Sequence, residues 1–200
     1  MKGSLIIVGF FVLGTICGVC HLLPFDIAET NISYYALCAL MFSVGLSVGN
    51  DPQTLKNFRS LNPQLVFLPI MTILGTLAGS AAVSLILTHR SITDCLAVGS
   101  GFGYYSLSSI FITEYKGAEL GTIALLANIS REILTLLAAP LLVRWFGNLA
   151  PISAGGATTM DTTLPIITRT AGQQFVVVSI FHGFVVDFSV PFLVTLFCSI

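Results

Sequence analysis

One carboxylate, Asp161, stands in a run of small and hydroxyl-bearing residues, Ala154-Gly155-Gly156-Ala157-Thr158-Thr159-Met160-Asp161-Thr162-Thr163-Leu164-Pro165, set between two long apolar stretches. Non-helical backbone of this kind is tolerated at membrane depth only where protein buries it or where it lines a water-filled cavity. A carboxylate placed there can hold a proton or an organic cation, with Thr162 and Thr163 beside it and Gly155 and Gly156 lining the space. A plainer role, capping the amino terminus of a half-helix, would use the same atoms.

A second polar group lies upstream. Asn128, Arg131, Glu132 and Thr135 follow the i, i+3, i+4, i+7 spacing and so form one polar stripe on an otherwise apolar helix. Ionisable side chains inside a span are costly and face a cavity or a partner. The site reading gives Asn128, Arg131 and Glu132 to substrate or proton; the plainer one holds Arg131 and Glu132 in ion pairs to other helices. His182 and Asp187 sit about 140° apart on their helix, so they do not face one spot. Asp187 is expected to line the cavity and His182 to make an interhelical hydrogen bond. Gly101, Gly103, Tyr104, Ser106 and Ser108 complete the candidate lining, or else pack at a helix end.

The elements that must position these groups are membrane helices. The chain of 200 residues is 55% hydrophobic and 8% charged, far below the roughly 25% charged of a soluble domain. Its formal net charge of −1 offers no basic surface to nucleic acid. The five cysteines (Cys17, Cys20, Cys38, Cys95, Cys198) fall in or beside apolar runs and suggest no disulfide framework. Apolar stretches at 4–23, 32–49, 63–88, 119–146 and 173–199 are read as five full spans. The first three hold glycine pairs four apart, Gly14 with Gly18, Gly45 with Gly49, and Gly75 with Gly79, which indicate close helix packing. No small-residue cleavage site follows the first span, so it is kept as a span and not as a signal peptide.

Residues 92–113 are apolar enough to enter the membrane, but Gly99, Gly101 and Gly103 followed by hydroxyls break a helix near its middle. They predict a re-entrant hairpin, and 147–172 predicts a second. With a shift of 54 positions Gly101 falls on Gly155, Ser108-Ser109 on Thr162-Thr163, and Ile112 on Ile166, and each segment precedes an apolar helix with a mid-span carboxylate. A hairpin plus one crossing is an odd unit, so the two copies are inverted and their hairpins meet near the midplane. Two glycine-interrupted segments at matching positions point to a secondary-transporter site. With the amino terminus cytoplasmic, Lys2, Lys56, Arg59, Arg144 and Arg169 lie inside and only Arg90 and Lys116 outside. The expectation is one all-α polytopic membrane domain over 1–200: a three-span bundle (1–88), a first hairpin plus helix (89–146) and a second (147–200).

Other chemistries find little support. Cys17-Gly18-Val19-Cys20-His21 matches the pattern for covalent haem attachment, but it ends an apolar helix with no domain to enclose a haem. No phosphate-binding loop, metal-ligand cluster or Ser-His-Asp arrangement is present, so neither an enzyme nor a cofactor is expected.

Gly101-Phe102-Gly103-Tyr104-Tyr105-Ser106-Leu107-Ser108-Ser109, Leu120 to Asn128 with Arg131-Glu132-Ile133, the run from Ala154 to Pro165, and Ser179-Ile180-Phe181-His182-Gly183 together resemble the LysO family of bacterial L-lysine exporters. The resemblance covers nearly the whole chain and is densest from 96 to 193. It implies export of L-lysine across the bacterial cytoplasmic membrane by proton or ion antiport, with H+ the expected coupling ion and Glu132 and Asp161 as the transport carboxylates. Many family members carry further amino-terminal spans that this chain lacks. A small membrane subunit, or a homo-oligomer, is expected to take their place. The rival readings are a transporter of another amino acid or organic ion, and a redox subunit carrying haem.

Overall fold

A computed structural model describes residues 63–200, except 88, together with Leu13, Ile16, Cys17 and Tyr35. The chain divides into two compact units, Met1–Val48 and Gly49–Ile200, and the architecture below is that of the second. The spans expected at 4–23 and 32–49 lie outside the described residues except at those four positions, as do Cys20 and His21 of the haem pattern.

Every regular element among the described residues is helical. α1 (Pro63–Val66) leads into α2 (Leu68–Ser84), interrupted at Phe67 just before Pro69. The span expected at 63–88 is therefore a bent pair ending four residues early. α3 (Ile92–Gly99) starts at Ser91, whose hydroxyl accepts the Asp94 N–H at 3.0 Å. Here the chain breaks. Phe102, wholly buried, takes φ 46 and Gly103 φ 95, left-handed values that a helix cannot hold and that strain a bulky residue. α4 (Tyr105–Lys116) comes next, and α5 (Ala118–Phe146) follows as a helix of 29 residues, about 43 Å long.

The second half repeats this order. α6 (Ala150–Gly155) ends at Gly156, φ 64, and passes through a 3-10 turn, Gly156–Met160, and an irregular stretch to α7 (Leu164–Ala171). A short 3-10 turn, Gln173–Phe175, opens into α8 (Val176–Ser199). Short helix, break, short helix, long helix occurs twice, at the positions that the 54-residue shift relates.

α5 and the 27 residues of Gln173–Ser199 are long and apolar enough to cross a membrane. Leu126, Leu134, Leu137 and Trp145 on α5, and Phe188 and Phe192 on α8, are exposed, an apolar surface that water would not tolerate at this extent. The opposite face of α8 is a stripe of buried residues, Ser179, His182, Gly183, Val186, Asp187, Val190 and Val194, that packs on α3, α4 and the second break. α5 packs on α4 and α6. Ile152, Ile167, Ala171 and Val178 join α6, α7 and the start of α8 in one apolar cluster. Each long helix thereby grips the broken segment of the other half.

Candidate functional site

The two breaks meet backbone to backbone. The Ala157 N–H donates to the Phe102 carbonyl at 2.9 Å, and a Cβ on Gly156 would strike that same carbonyl. A Cβ on Gly103 would come within 3.2 Å of the Gly155 carbonyl oxygen. Only glycines let the turns close this tightly. Four half-helix ends converge here: the carboxyl ends of α3 and α6, and the amino ends of α4 and α7.

The two carboxyl ends are served by neighbouring turns of α5. Asn128 Oδ1 accepts the Gly103 N–H at 2.7 Å, while its Nδ2 donates to the Val98 and Ala124 carbonyls at 3.2 and 2.9 Å and approaches the Ser108 hydroxyl at 3.5 Å. Gly101 is held against Asn128 and Ser108 with no room for a side chain. Arg131 reaches the other break. Its Nε donates to the Ala154 carbonyl at 2.8 Å, Nη2 to Ser153 at 3.0 Å and Nη1 to the Thr76 hydroxyl at 3.3 Å, with the guanidinium 5.9 Å from the centre of the Phe102 ring. A cation suits these carbonyls because they carry the negative end of α6. Arg131 thus grips backbone oxygens, whereas the plainer sequence reading paired it with a carboxylate.

The rest of the stripe divides. Thr135 is buried and donates to the Arg131 carbonyl of its own helix at 2.9 Å. Glu132 is half-buried and makes no hydrogen bond or ion pair with another described residue. The described ion pairs are instead where α3 begins and α4 passes into α5, Arg90 with Glu119 and Lys116 with Asp94 at 3.8 Å.

His182, 54 positions after Asn128, serves the second break as Asn128 serves the first. Its Nδ1 lies 3.2 Å from the Thr159 hydroxyl and its Nε2 2.9 Å from that of Thr72, the interhelical bond that the sequence suggests. Thr159 also donates to the Ser179 carbonyl at 2.9 Å, and Thr158 to that of Gly155 at 2.9 Å. Gly183 is what lets α8 come so close, since a Cβ there would lie 2.7 Å from the Met160 nitrogen. Thr163 is buried, its hydroxyl 3.2 Å from that of Thr158. Thr72, Thr158 and Thr159 were not singled out from sequence. The shift that aligns Gly101 with Gly155 pairs Asn128 with His182 but leads to neither Thr72 nor Thr159.

The amino ends of α4 and α7 have no side-chain caps. Tyr104, half-buried, immediately precedes α4, and Ser106 is exposed on its first turn. Asp161, three residues before α7, is exposed, and its Oδ1 accepts the Thr162 N–H at 2.5 Å. Asp187 is only 7% exposed. Tyr104, Asp161 and Asp187 lie within electrostatic range of one another. So the negative helix ends are satisfied from α5, while the positive ends are left open beside two carboxylates and a phenol.

Two clefts flank Arg131. One of about 770 Å³ runs between α2, α3 and α5, past Thr76, Ser80, Val98 and Asn128, with His89, Arg90 and Asp94 among its polar lining. The other, about 470 Å³, includes Ser130, Thr135 and Ala154. Neither contains Asp161, Asp187 or Glu132. The larger cleft is mostly apolar and its carboxylate, Asp94, is paired, so the open carboxylates and helix ends mark the better candidate site.

The family model described as lysine exporter LysO matches residues 8–198. The chain belongs to that family. The lysine exporter LysO of Escherichia coli is 36% identical over 196 residues, which are 98% of this chain and 64% of that protein. A putative lysine exporter of Haemophilus influenzae is 35% identical over 196 residues, 98% of this chain and 96% of its own length. This LysO-family chain therefore spans just under two thirds of the Escherichia coli relative. No solved structure matches it.

Proposed function

We propose that the chain exports L-lysine across the bacterial cytoplasmic membrane in exchange for protons. One observation carries this reading: two broken helices meet tip to tip and leave two uncapped helix amino ends beside Asp161 and Asp187, in a chain whose relatives are named lysine exporters. Uncapped amino ends bind anions, which suits the substrate carboxylate. Asp161, exposed at the break, receives an ammonium group, with Thr162 beside it. Glu132 is the second transport carboxylate, acting from the half-buried face of α5. Asn128 and Arg131 hold the breaks in register, so their part in binding is to position backbone.

In membrane terms, α3–α4 and α6–α7 are re-entrant hairpins of an inverted repeat, and α5 and α8 are two of five spans, with the amino terminus inside. A small membrane subunit or a second copy of the chain completes the transporter.

The test is efflux of L-lysine from exporter-deficient bacteria loaded with a lysine-containing dipeptide. The parent chain, co-expressed with a neighbouring small membrane protein where needed, should clear lysine, and Asp161→Asn at equal membrane abundance should not. Efflux unaffected by the substitution would remove Asp161 from the site. Efflux of a different amino acid in competition would move the substrate class.

A further inference from the structure

Asp187 is not accounted for by transport through Asp161 and Glu132 alone. It sits on the packed face of α8, more than nine tenths buried, between the wholly buried Val186 and Val190. Among the described residues nothing hydrogen-bonds its carboxylate. No side-chain oxygen among them is both sealed off and unpaired, so the Asp187 carboxylate keeps a small accessible surface. An isolated buried carboxylate is stable only when neutralised.

The neighbourhood says by what. α8 packs on α4 and on the second break, and Tyr104, just before α4, and Asp161, just before α7, lie within electrostatic range of Asp187. α2 and α6 bring no titratable side chain, and Arg169 on α7 is exposed. Asp94 and Cys95 of α3, and Lys116 of α4, lie at the other end of their helices, level with Cys198, about 16 Å along α8 from Asp187. His182 is turned to Thr72 and Thr159. A hard metal cation gathers about six oxygens, and no group of three or more His, Cys, Asp or Glu gathers among the described residues. A proton needs no further ligand.

We infer that Asp187 is the proton carrier of this site, paired with Asp161 as the ammonium receptor. In the substrate-free state Asp187 carries the proton as its O–H. When the lysine ammonium docks at Asp161, that O–H bond breaks, the proton leaves to the water on the loading side, and Asp161 alone holds the incoming cation. After release on the other side, Asp187 takes a proton from the water there. Charge balances at each stage: one proton moves inward for each lysine cation moved outward. This rests on the exporter reading and deepens it by dividing the work between two acids.

The test uses the full chain in liposomes with two readouts, exchange of labelled for unlabelled lysine at equal pH, and lysine movement driven by a pH gradient. The parent should perform both. Asp187→Asn, fixed in the neutral form, should keep exchange and lose the pH-driven movement, and Asp187→Glu should restore it. A monodisperse Asp187→Asn protein with unchanged pH-driven movement would overturn the assignment. Loss of both readouts in Asp187→Asn and in Asp187→Glu would overturn it also, by making Asp187 a structural or substrate group. A parent inactive in both assays, whether reconstituted alone or with the small membrane subunit, would overturn the exporter reading, and this assignment with it.

Discussion

Asn128 and Arg131, three residues apart on one helix, grip the backbones of two different broken segments, Asn128 Oδ1 at 2.7 Å from the Gly103 nitrogen and Arg131 Nε at 2.8 Å from the Ala154 oxygen. One face of α5 thereby sets the register of both turns.

Arg131→Lys should destabilise the protein by about 2–4 kcal/mol, since one ammonium cannot fork across two carbonyls and a hydroxyl as the guanidinium does. Thermal unfolding in detergent would check this. An unchanged midpoint would mean that the carbonyls of Ser153 and Ala154 find other donors.

Asn128→Ala leaves the Gly103 N–H and the Val98 carbonyl without their partner. A loss of about 1–3 kcal/mol is expected in the same measurement. Asn128→Asp should also be destabilising, because it keeps the acceptor for Gly103 and loses both carbonyl donors.

Gly156→Ala should abolish lysine efflux while the protein still reaches the membrane. The added methyl meets the Phe102 carbonyl and the residue must hold φ 64, so the two turns separate. Efflux at the parent's rate would show that their contact is dispensable.

Thr72→Val removes the hydroxyl at His182 Nε2, at an expected cost of about 1–2 kcal/mol. A double-mutant cycle with Thr159→Val should give a non-additive energy, because both hydroxyls address the two nitrogens of one ring. Strict additivity would place the two bonds in separate networks.

Ser106, exposed on the first turn of α4, provides a test of access. In a cysteine-free background, Ser106→Cys should react with a small aqueous thiol reagent, and saturating L-lysine should slow the reaction. Labelling indifferent to lysine would place the substrate elsewhere.

The long helices were readable because length and apolarity are local properties. The sequence predicts spans at 119–146 and 173–199, and the helices run Ala118–Phe146 and Val176–Ser199, the latter with a 3-10 turn at Gln173–Phe175 before it. The breaks were readable because glycines at alternate positions exclude a continuous helix, and Phe102 and Gly103 turn where that pattern lies. The role of Arg131 was not. Its partners are main-chain oxygens more than twenty residues away, and a carbonyl leaves no trace in a sequence, so a carboxylate partner looked the natural choice. The end of α2 at Ser84 was missed for a similar reason: Leu85, Ile86 and Leu87 are as apolar as the helix before them, and composition does not mark where it stops.

The clasps of Asn128 and Arg131 are spaced about 4.5 Å apart along a single rod, and the turns they hold are stitched to one another through Ala157 and Phe102. Such a crossbar works as a lever with two loads fixed to one point. Tilting or sliding α5 carries both turns together, and moving either turn alone means tearing a clasp. Substrate access governed by this assembly would be governed by the travel of a block, with the seam at its centre remaining shut throughout the cycle.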